Sequence, residues 1–234
     1  MSEKHFIKVE DGEEVSTVHH EADSDKWIFF CHGFGSDKEG SYERRAERAV
    51  KEEYNAVRFD FRGNGESDGE FIDQTLSSRI DDLKAVVEHF QPENYVLFGS
   101  SFGGKVVLHG SLELEPYAVI GRAPVTYNQI MEKYRSVVEE KGEFTHHGNK
   151  AIDERFYEDF DQYSFDDVAQ RLDKPLSIFH GGSDTTVHFR NSADAIKELE
   201  TDTLLMKFDG ENHSFSGRAE DRMRDAMFDW LERV

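Results

Sequence analysis

The sequence predicts an α/β protein built on a mostly parallel sheet of eight strands flanked by helices. Two observations carry that prediction. Short apolar runs alternate with longer amphipathic stretches along the chain, which is the pattern of strands joined by crossover helices. In addition, 234 residues suffice for one sizeable core and are too few for two. With only 4 Pro and no linker-like tract, residues 1–234 are expected to form a single domain.

Phe6–Val9 and Val15–His19 alternate apolar with polar side chains and fit an antiparallel edge. Trp27–Cys31, Ala56–Phe59, Tyr95–Phe98, Tyr117–Ile120, Leu176–Phe179 and Thr203–Phe208 read as buried strands. Helical patterns cover Ser41–Glu53, Thr75–Phe90, Phe102–Leu114, Arg190–Glu200 and Glu220–Arg233. In the second of these, Leu76, Ile80, Leu83, Val87 and Phe90 share one face, with Asp73 or Thr75 as cap. Met223, Met227, Trp230 and Leu231 mark the buried stripe of the last. From Val125 to about Asp173 no strong strand is predicted. The text there reads as two or three amphipathic helices around a loop from Gly142 to Gly148. Such a break is too long for an ordinary connection, so a small helical lid over residues 125–173 is expected.

The 49 Asp and Glu outnumber the 28 Lys and Arg, for a formal net charge of -21. That charge repels phosphate backbones, so no nucleic-acid partner is expected. The acids are scattered over predicted surface faces (Glu43, Glu47, Glu52, Glu53; Glu139, Glu140; Asp166, Asp167) instead of forming a tail. They read either as a plain solvated surface or as adaptation to high salt, where self-repulsion is screened. With 13 Lys, the composition resembles that of haloarchaeal proteins. One cysteine, Cys31, excludes an intrachain disulfide and fits a reducing compartment. Its apolar strand makes it a structural thiol. No apolar signal core follows Met1, and no run is long enough to span a bilayer. A cytoplasmic protein, monomer or homodimer, without membrane contact is therefore expected.

Chemistry concentrates in four stretches. Val96-Leu-Phe-Gly99-Ser-Ser101-Phe-Gly103-Gly104 runs an apolar strand through Gly-x-Ser-x-Gly into a helix. This turn exposes a serine hydroxyl at the carboxyl end of a sheet, with small neighbours letting the chain pass. Ser101 is the expected nucleophile; Ser100 lacks the flanking glycines and is expected to point into the scaffold. A serine needs a base, and Phe208-Asp-Gly210-Glu-Asn-His213 supplies one after the last strand. His19, His20, His146 and His147 lie in polar segments and read as surface residues. No histidine shows zinc-site spacing. Asp184, in the loop after Leu176-Ser-Ile-Phe-His180, completes the chain order Ser…Asp…His. Asp209 reads as a strand-end cap, and Asp173 precedes its strand and lies at the wrong end. His32-Gly33-Phe34-Gly35-Ser36 follows the third strand, and its Phe34 N–H pairs with the Phe102 N–H as an oxyanion hole. His32 is expected to brace this loop.

Together these stretches resemble the α/β-hydrolase superfamily, and within it the small-lid serine hydrolases grouped around feruloyl-type esterases and serine aminopeptidase-like (monoglyceride lipase-like) proteins. The resemblance extends to Asp60-Phe-Arg62-Gly-Asn-Gly65-Glu-Ser67, a hallmark loop whose role looks structural. It covers nearly the whole chain. It implies two-step acyl transfer on a small-molecule acyl substrate, with no metal or organic cofactor. An ester is the first choice; a thioester or small amide shares the chemistry, and a non-catalytic ligand-binding protein is the rival from another class. Tyr127, Met131 and Tyr134, with Ile130, Phe144, Phe156 and Tyr157, are either pocket lining or lid core.

Overall fold

The computed structural model describes residues 1–9, 12–148 and 150–234, with His147 by its backbone. Six strands come first: β1 (Ser2–Lys8), β2 (Glu14–His20), β3 (Lys26–Cys31), β4 (Asn55–Phe59), β5 (Asn94–Ser100) and β6 (Ala118–Arg122). Between them lie α1 (Ser41–Lys51), α2 (Leu76–Phe90) and α3 (Phe102–Gly110). Then come α4 (Gln129–Lys141), β7 (Glu143–His147), β8 (Lys150–Asp153), α5 (Glu154–Phe160) and α6 (Phe165–Arg171). The chain finishes with β9 (Leu176–Gly181), α7 (Phe189–Ala195), β10 (Thr203–Phe208) and α8 (Gly217–Leu231).

The eight-stranded sheet runs β1-β2-β4-β3-β5-β6-β9-β10. The edge pair β1 and β2 is antiparallel, as the alternation in their sequence predicts, and β2 is antiparallel to β4. All other neighbours are parallel. This is the α/β-hydrolase fold. Parallel strands carry helices on both faces, so both faces must be apolar. One buried cluster joins Ile28, Phe30, Val96 and Phe98 to Ala46 of α1 and Met223 and Met227 of α8. The other joins Phe29, Val57, Phe59 and Leu97 to Leu83 of α2, Val107 of α3 and Phe156 and Phe160 of α5.

Two expectations need correction. Residues 125–173 are not purely helical: β7 and β8 form an antiparallel hairpin, with Phe144 opposite Ile152. Gly142 ends α4 in the left-handed region (φ 85), and Gly148 (φ 60) lies at the tip. Strands this short give too little alternation to register in sequence. His19 and His20 are not surface residues either. His19 stacks on Trp27 at 4.9 Å, and the buried His20 accepts from Arg58 Nε at 3.0 Å. On β2, the strand between β1 and β4, the pleat turns polar side chains inward as well as out.

Helix ends follow local chemistry. Thr75 and Ser78 form a reciprocal capping box at α2, and Ser216 caps α8, which starts earlier than its apolar stripe. The loop 60–69 is braced as its sequence suggests. Asp82 accepts from the Arg62 backbone N–H (2.9 Å) and from its Nε (2.7 Å). Asp60 accepts from both the N–H and Nζ of Lys38 at 2.6 Å.

Candidate active site

Ser101 stands where β5 ends and α3 begins, with φ 55 and ψ −116. For a residue with a Cβ this is a strained conformation, costing on the order of 1–3 kcal/mol. The surrounding packing imposes it. A Cβ at Gly99 would lie 2.1 Å from the Gly103 carbonyl oxygen, and one at Gly103 would lie 2.4 Å from that of Cys31. No side chain fits at either place. The Ser101 N–H donates to the Arg122 carbonyl at 2.9 Å, and its own carbonyl accepts from Gly104 and Val125. Ala123 (φ 45) and Phe215 (φ 55) are strained as well. Three of the five non-glycine residues with positive φ among those described thus lie in or beside the turns that meet here.

The loop after β3 passes close to the nucleophile: a Cβ on Gly33 would lie 3.4 Å from that of Ser101. Phe34, next to Gly33, and Phe102, the first residue of α3, line the same cavity as Ser101. The two rings are 5.4 Å apart. His32 fixes this loop in one tautomer. Its Nε2 accepts the Phe61 N–H at 3.1 Å, so Nδ1 carries the proton and donates to the Gly33 carbonyl at 2.8 Å. Burial pushes its pKa down to about 4, keeping the brace neutral.

Asp184 and His213 approach from the other side of the sheet centre. Asp184 Oδ2 accepts from His213 Nδ1 at 2.7 Å, and Oδ1 accepts from the N–H groups of Thr186 (2.8 Å) and Val187 (2.9 Å). His180 packs against the same carboxylate at 3.3 Å. Burial alone would raise the Asp184 carboxyl, but the hydrogen bonds of His180, His213 and Val187 outweigh it and hold it well below the usual range. Asp209 and Asp173, the other carboxylates weighed, are exposed and pair with Lys207 and Lys174.

Ser101 and His213 line one cavity of about 370 Å³, together with Gly33, Phe34, Phe102 and Ser100. Of the expected substrate-binding residues, Met131 and Tyr134 line it, as does Ile130. Tyr127 does not. Its hydroxyl donates to Glu198 at 2.7 Å and its ring packs on Phe165, so it is corrected to a structural residue. Phe144 stacks on Tyr134, while Phe156 and Tyr157 are core. His146, read from sequence as a surface residue, borders the cavity with its ring 5.4 Å from that of Phe34. It is brought there by the hairpin that sequence does not reveal. The side chain of His147 lies outside the described residues. Ser100 does not simply point into the scaffold: it borders the cavity, with a buried hydroxyl that has no hydrogen-bond partner among the described residues. Arg45 and Arg122 border it too. The signal for Arg122 is a charged residue closing an apolar strand; Arg45 is masked by its charged helix. Cys31 is fully buried and its thiol is pushed up by burial.

A serine on such a turn, in one cavity with a histidine hydrogen-bonded to a carboxylate, is the arrangement that activates a hydroxyl for attack on a carbonyl. The family model for the prolyl oligopeptidase family matches residues 41–234. The chain belongs to this family. It is 28% identical over 201 residues to the mitochondrial palmitoyl-protein thioesterase ABHD10 of Homo sapiens, covering 77% of this chain. This chain matches over 65% of that relative's length. Among solved structures, mouse α/β-hydrolase domain-containing protein 10 superposes with a TM-score of 0.87 at 18% identity, covering 99% of both chains. Est1E of Butyrivibrio proteoclasticus, solved with ferulic acid, gives 0.86 at 20% identity over 97% of both. Both solved structures share the α/β-hydrolase fold of this chain. Among the described residues no helix is long and apolar enough to cross a membrane.

Proposed function

We propose that the protein is a serine hydrolase that cleaves carboxylic esters of small acyl substrates through an acyl-enzyme. The observation that carries this reading is the 2.7 Å pairing of His213 with Asp184 in the cavity that also exposes Ser101. Since Nδ1 of His213 donates to Asp184, Nε2 is left unprotonated to accept the Ser101 proton. Ser101 Oγ then attacks the carbonyl carbon, and the Phe34 and Phe102 N–H groups hold the oxyanion, each such donor contributing about 3 kcal/mol in comparable sites. His213 returns the proton to the leaving group, then activates water to release the acid. Residues 125–173 act as a lid, supplying Met131 and Tyr134 to the pocket wall.

A thioester is the second reading, favoured by the relationship to the human thioesterase. A cavity of about 370 Å³ lies at the small end of the range for ligand sites, roughly 300–1,000 Å³. This suits a short acyl group; a long chain would extend beyond it. The test is hydrolysis of a short-chain p-nitrophenyl ester and its acyl-thioester counterpart by the wild type and by Ser101→Ala. Activity of the wild type, labelling by a fluorophosphonate, and loss of both in the variant are expected. Undiminished activity in Ser101→Ala with no labelling of the parent would sink the proposal.

A further inference from the structure

The catalytic cavity has the opposite charge to the protein around it. Among the described residues no Asp or Glu lines the cavity, while Arg45, Arg122 and Lys133 do. Lys133 is exposed at the rim, but the two arginines are buried, at 1% and 7% exposure. One carboxylate lies behind them: Glu220 accepts from Arg45 Nη2 at 2.8 and 2.9 Å and pairs with Arg122 Nε at 2.8 Å. Two buried guanidiniums sharing one carboxylate leave one positive charge uncompensated. A buried charge without a partner is costly, and an anionic ligand group in the cavity would offset that cost. The aromatic faces of Tyr42 and Phe98 against Arg45, and of Phe215 against Arg122, soften that cost without cancelling the charge.

Arg122 is the cation placed to meet a substrate. It pairs in register with Ser100 across β5 and β6, and its carbonyl holds the Ser101 N–H. Its guanidinium lies 4.5 Å from the ring of Phe215, two residues beyond His213. Arg45 spends one nitrogen on Glu220, and its Nε and Nη1 are buried without a hydrogen-bond partner among the described residues, as is Ser100 Oγ. Both residues are more than nine-tenths buried and border the cavity. The lining also carries the hydroxyl residues Ser36, Ser41, Ser100, Thr186 and Ser214, along with the apolar Val125, Ile130 and Met131. Hydroxyl donors and a guanidinium bordering one cavity match a carboxylate.

Resting on the serine-hydrolase reading above, we propose that the substrate of Ser101 carries a carboxylate in addition to its scissile bond, and that Arg122 is the specificity-determining residue that binds it. The acidic surface repels an anionic ester at long range, so a local cation is what such a substrate needs to dock. The reaction itself is unaltered: water adds across the acyl bond, and the carboxylate stays a spectator.

The test compares charged and neutral isosteres in two arms. One places the charge in the acyl part (mono-p-nitrophenyl adipate against p-nitrophenyl hexanoate). The other places it in the leaving group (4-carboxyphenyl against 4-carbamoylphenyl butyrate). The wild type is expected to prefer the charged member at least tenfold in kcat/KM in one arm, which identifies the end that Arg122 binds. Arg122→Gln is expected to lower that ratio at least tenfold, mainly through KM, and Arg122→Lys to restore part of it. Fluorophosphonate labelling of each variant reports a folded, competent Ser101 independently. Absence of a preference in both arms, or a ratio unchanged in a labelled Arg122→Gln, overturns the proposal while leaving the hydrolase reading in place. No labelling and no turnover of any ester by the wild type removes both.

Discussion

Asp184 spends both carboxylate oxygens: Oδ2 on His213 Nδ1 at 2.7 Å, and Oδ1 on the N–H groups of Thr186 and Val187. The side chain is thus fixed by its own loop before it orients the histidine. His180 supports the same loop from beneath, with Nε2 2.8 Å from the Val187 carbonyl and Nδ1 2.8 Å from Ser192 Oγ. With Nε2–H donating to that carbonyl, Nδ1 accepts from the serine hydroxyl.

Asp184→Asn tests what that fixation does. The amide keeps the shape, but it can present its NH₂ to His213 and so favour the tautomer that cannot accept the Ser101 proton. A fall in kcat of about 10⁴-fold is expected, with KM little changed. Steady-state kinetics on a p-nitrophenyl ester measures it. A loss under tenfold would show that Asp184 does not set the tautomer. Because its hydrogen bonds hold the carboxyl well below the usual range, the wild-type acid limb of kcat/KM is expected to have unit slope, without a second carboxylate titration.

The glycines packed around the nucleophile separate into two kinds. Gly33→Ala adds a methyl at ordinary contact distance, 3.4 Å from Ser101 Cβ and 3.9 Å from its Oγ. It is expected to fold with a stability change under about 1 kcal/mol and to lose activity, since the methyl occupies space beside the attacking oxygen. Gly99→Ala and Gly103→Ala meet backbone at 2.1 and 2.4 Å. Those contacts cannot be relieved by a rotamer, so a loss of more than about 3 kcal/mol is expected. Urea melts alongside ester hydrolysis distinguish the two. Equal destabilisation by all three changes would refute the distinction.

The legibility of this site in sequence follows its physics. Ser101 was readable because a strand, a close-packed turn and a helix leave a strict local pattern at Gly99 and Gly103. Asp184 and His213 were readable through chain order, since parallel strands deliver successive loops to one end of the sheet. His146 and the hairpin bearing it were not, because the pairing of Phe144 with Ile152 is a tertiary choice by strands too short to announce themselves. Arg45 and Arg122 were missed because burial of a charge depends on a partner far away in sequence, here Glu220 on the last helix. Tyr127 is decided only by the structure, for a related reason. Its composition fits a pocket, but Glu198 draws its hydroxyl elsewhere.

Surface charge predicts a dependence on salt. Glu43, Glu47, Glu139, Glu140, Asp166 and Asp167 are all exposed, and the formal net charge is -21. Self-repulsion at that charge opposes the compact state, and it is screened as the Debye length falls from about 10 Å at 0.1 M to about 3 Å at 1 M. The Tm is therefore expected to rise by at least several degrees between 0.1 and 2 M KCl. Differential scanning calorimetry measures it, and a flat or falling Tm would count against adaptation of this surface to high salt.

Lys105 offers a prediction in pH. It follows the nucleophile turn on α3, fully buried, with Nζ donating to the Tyr163 carbonyl at 2.8 Å and lying 5.0 Å from the Phe160 ring centre. Burial pushes it down to about 7 from 10.5, with Asp167 opposing. Between pH 10 and pH 7 the unfolded chain takes up this proton and the folded chain does not. Stability therefore falls as pH drops through that window, by up to about 1.4 kcal/mol per unit. Below pH 7 both states hold the proton, and the cost stays constant. Lys105→Met removes the charge while keeping the volume, at the expense of the bond to Tyr163, roughly 1–3 kcal/mol. The variant is expected to gain about 2 kcal/mol at pH 7, and little or nothing at pH 10. Urea unfolding at both values decides it. A variant equally destabilised at pH 7 and pH 10 would show that Lys105 is retained for its hydrogen bond and that its burial has no titration cost.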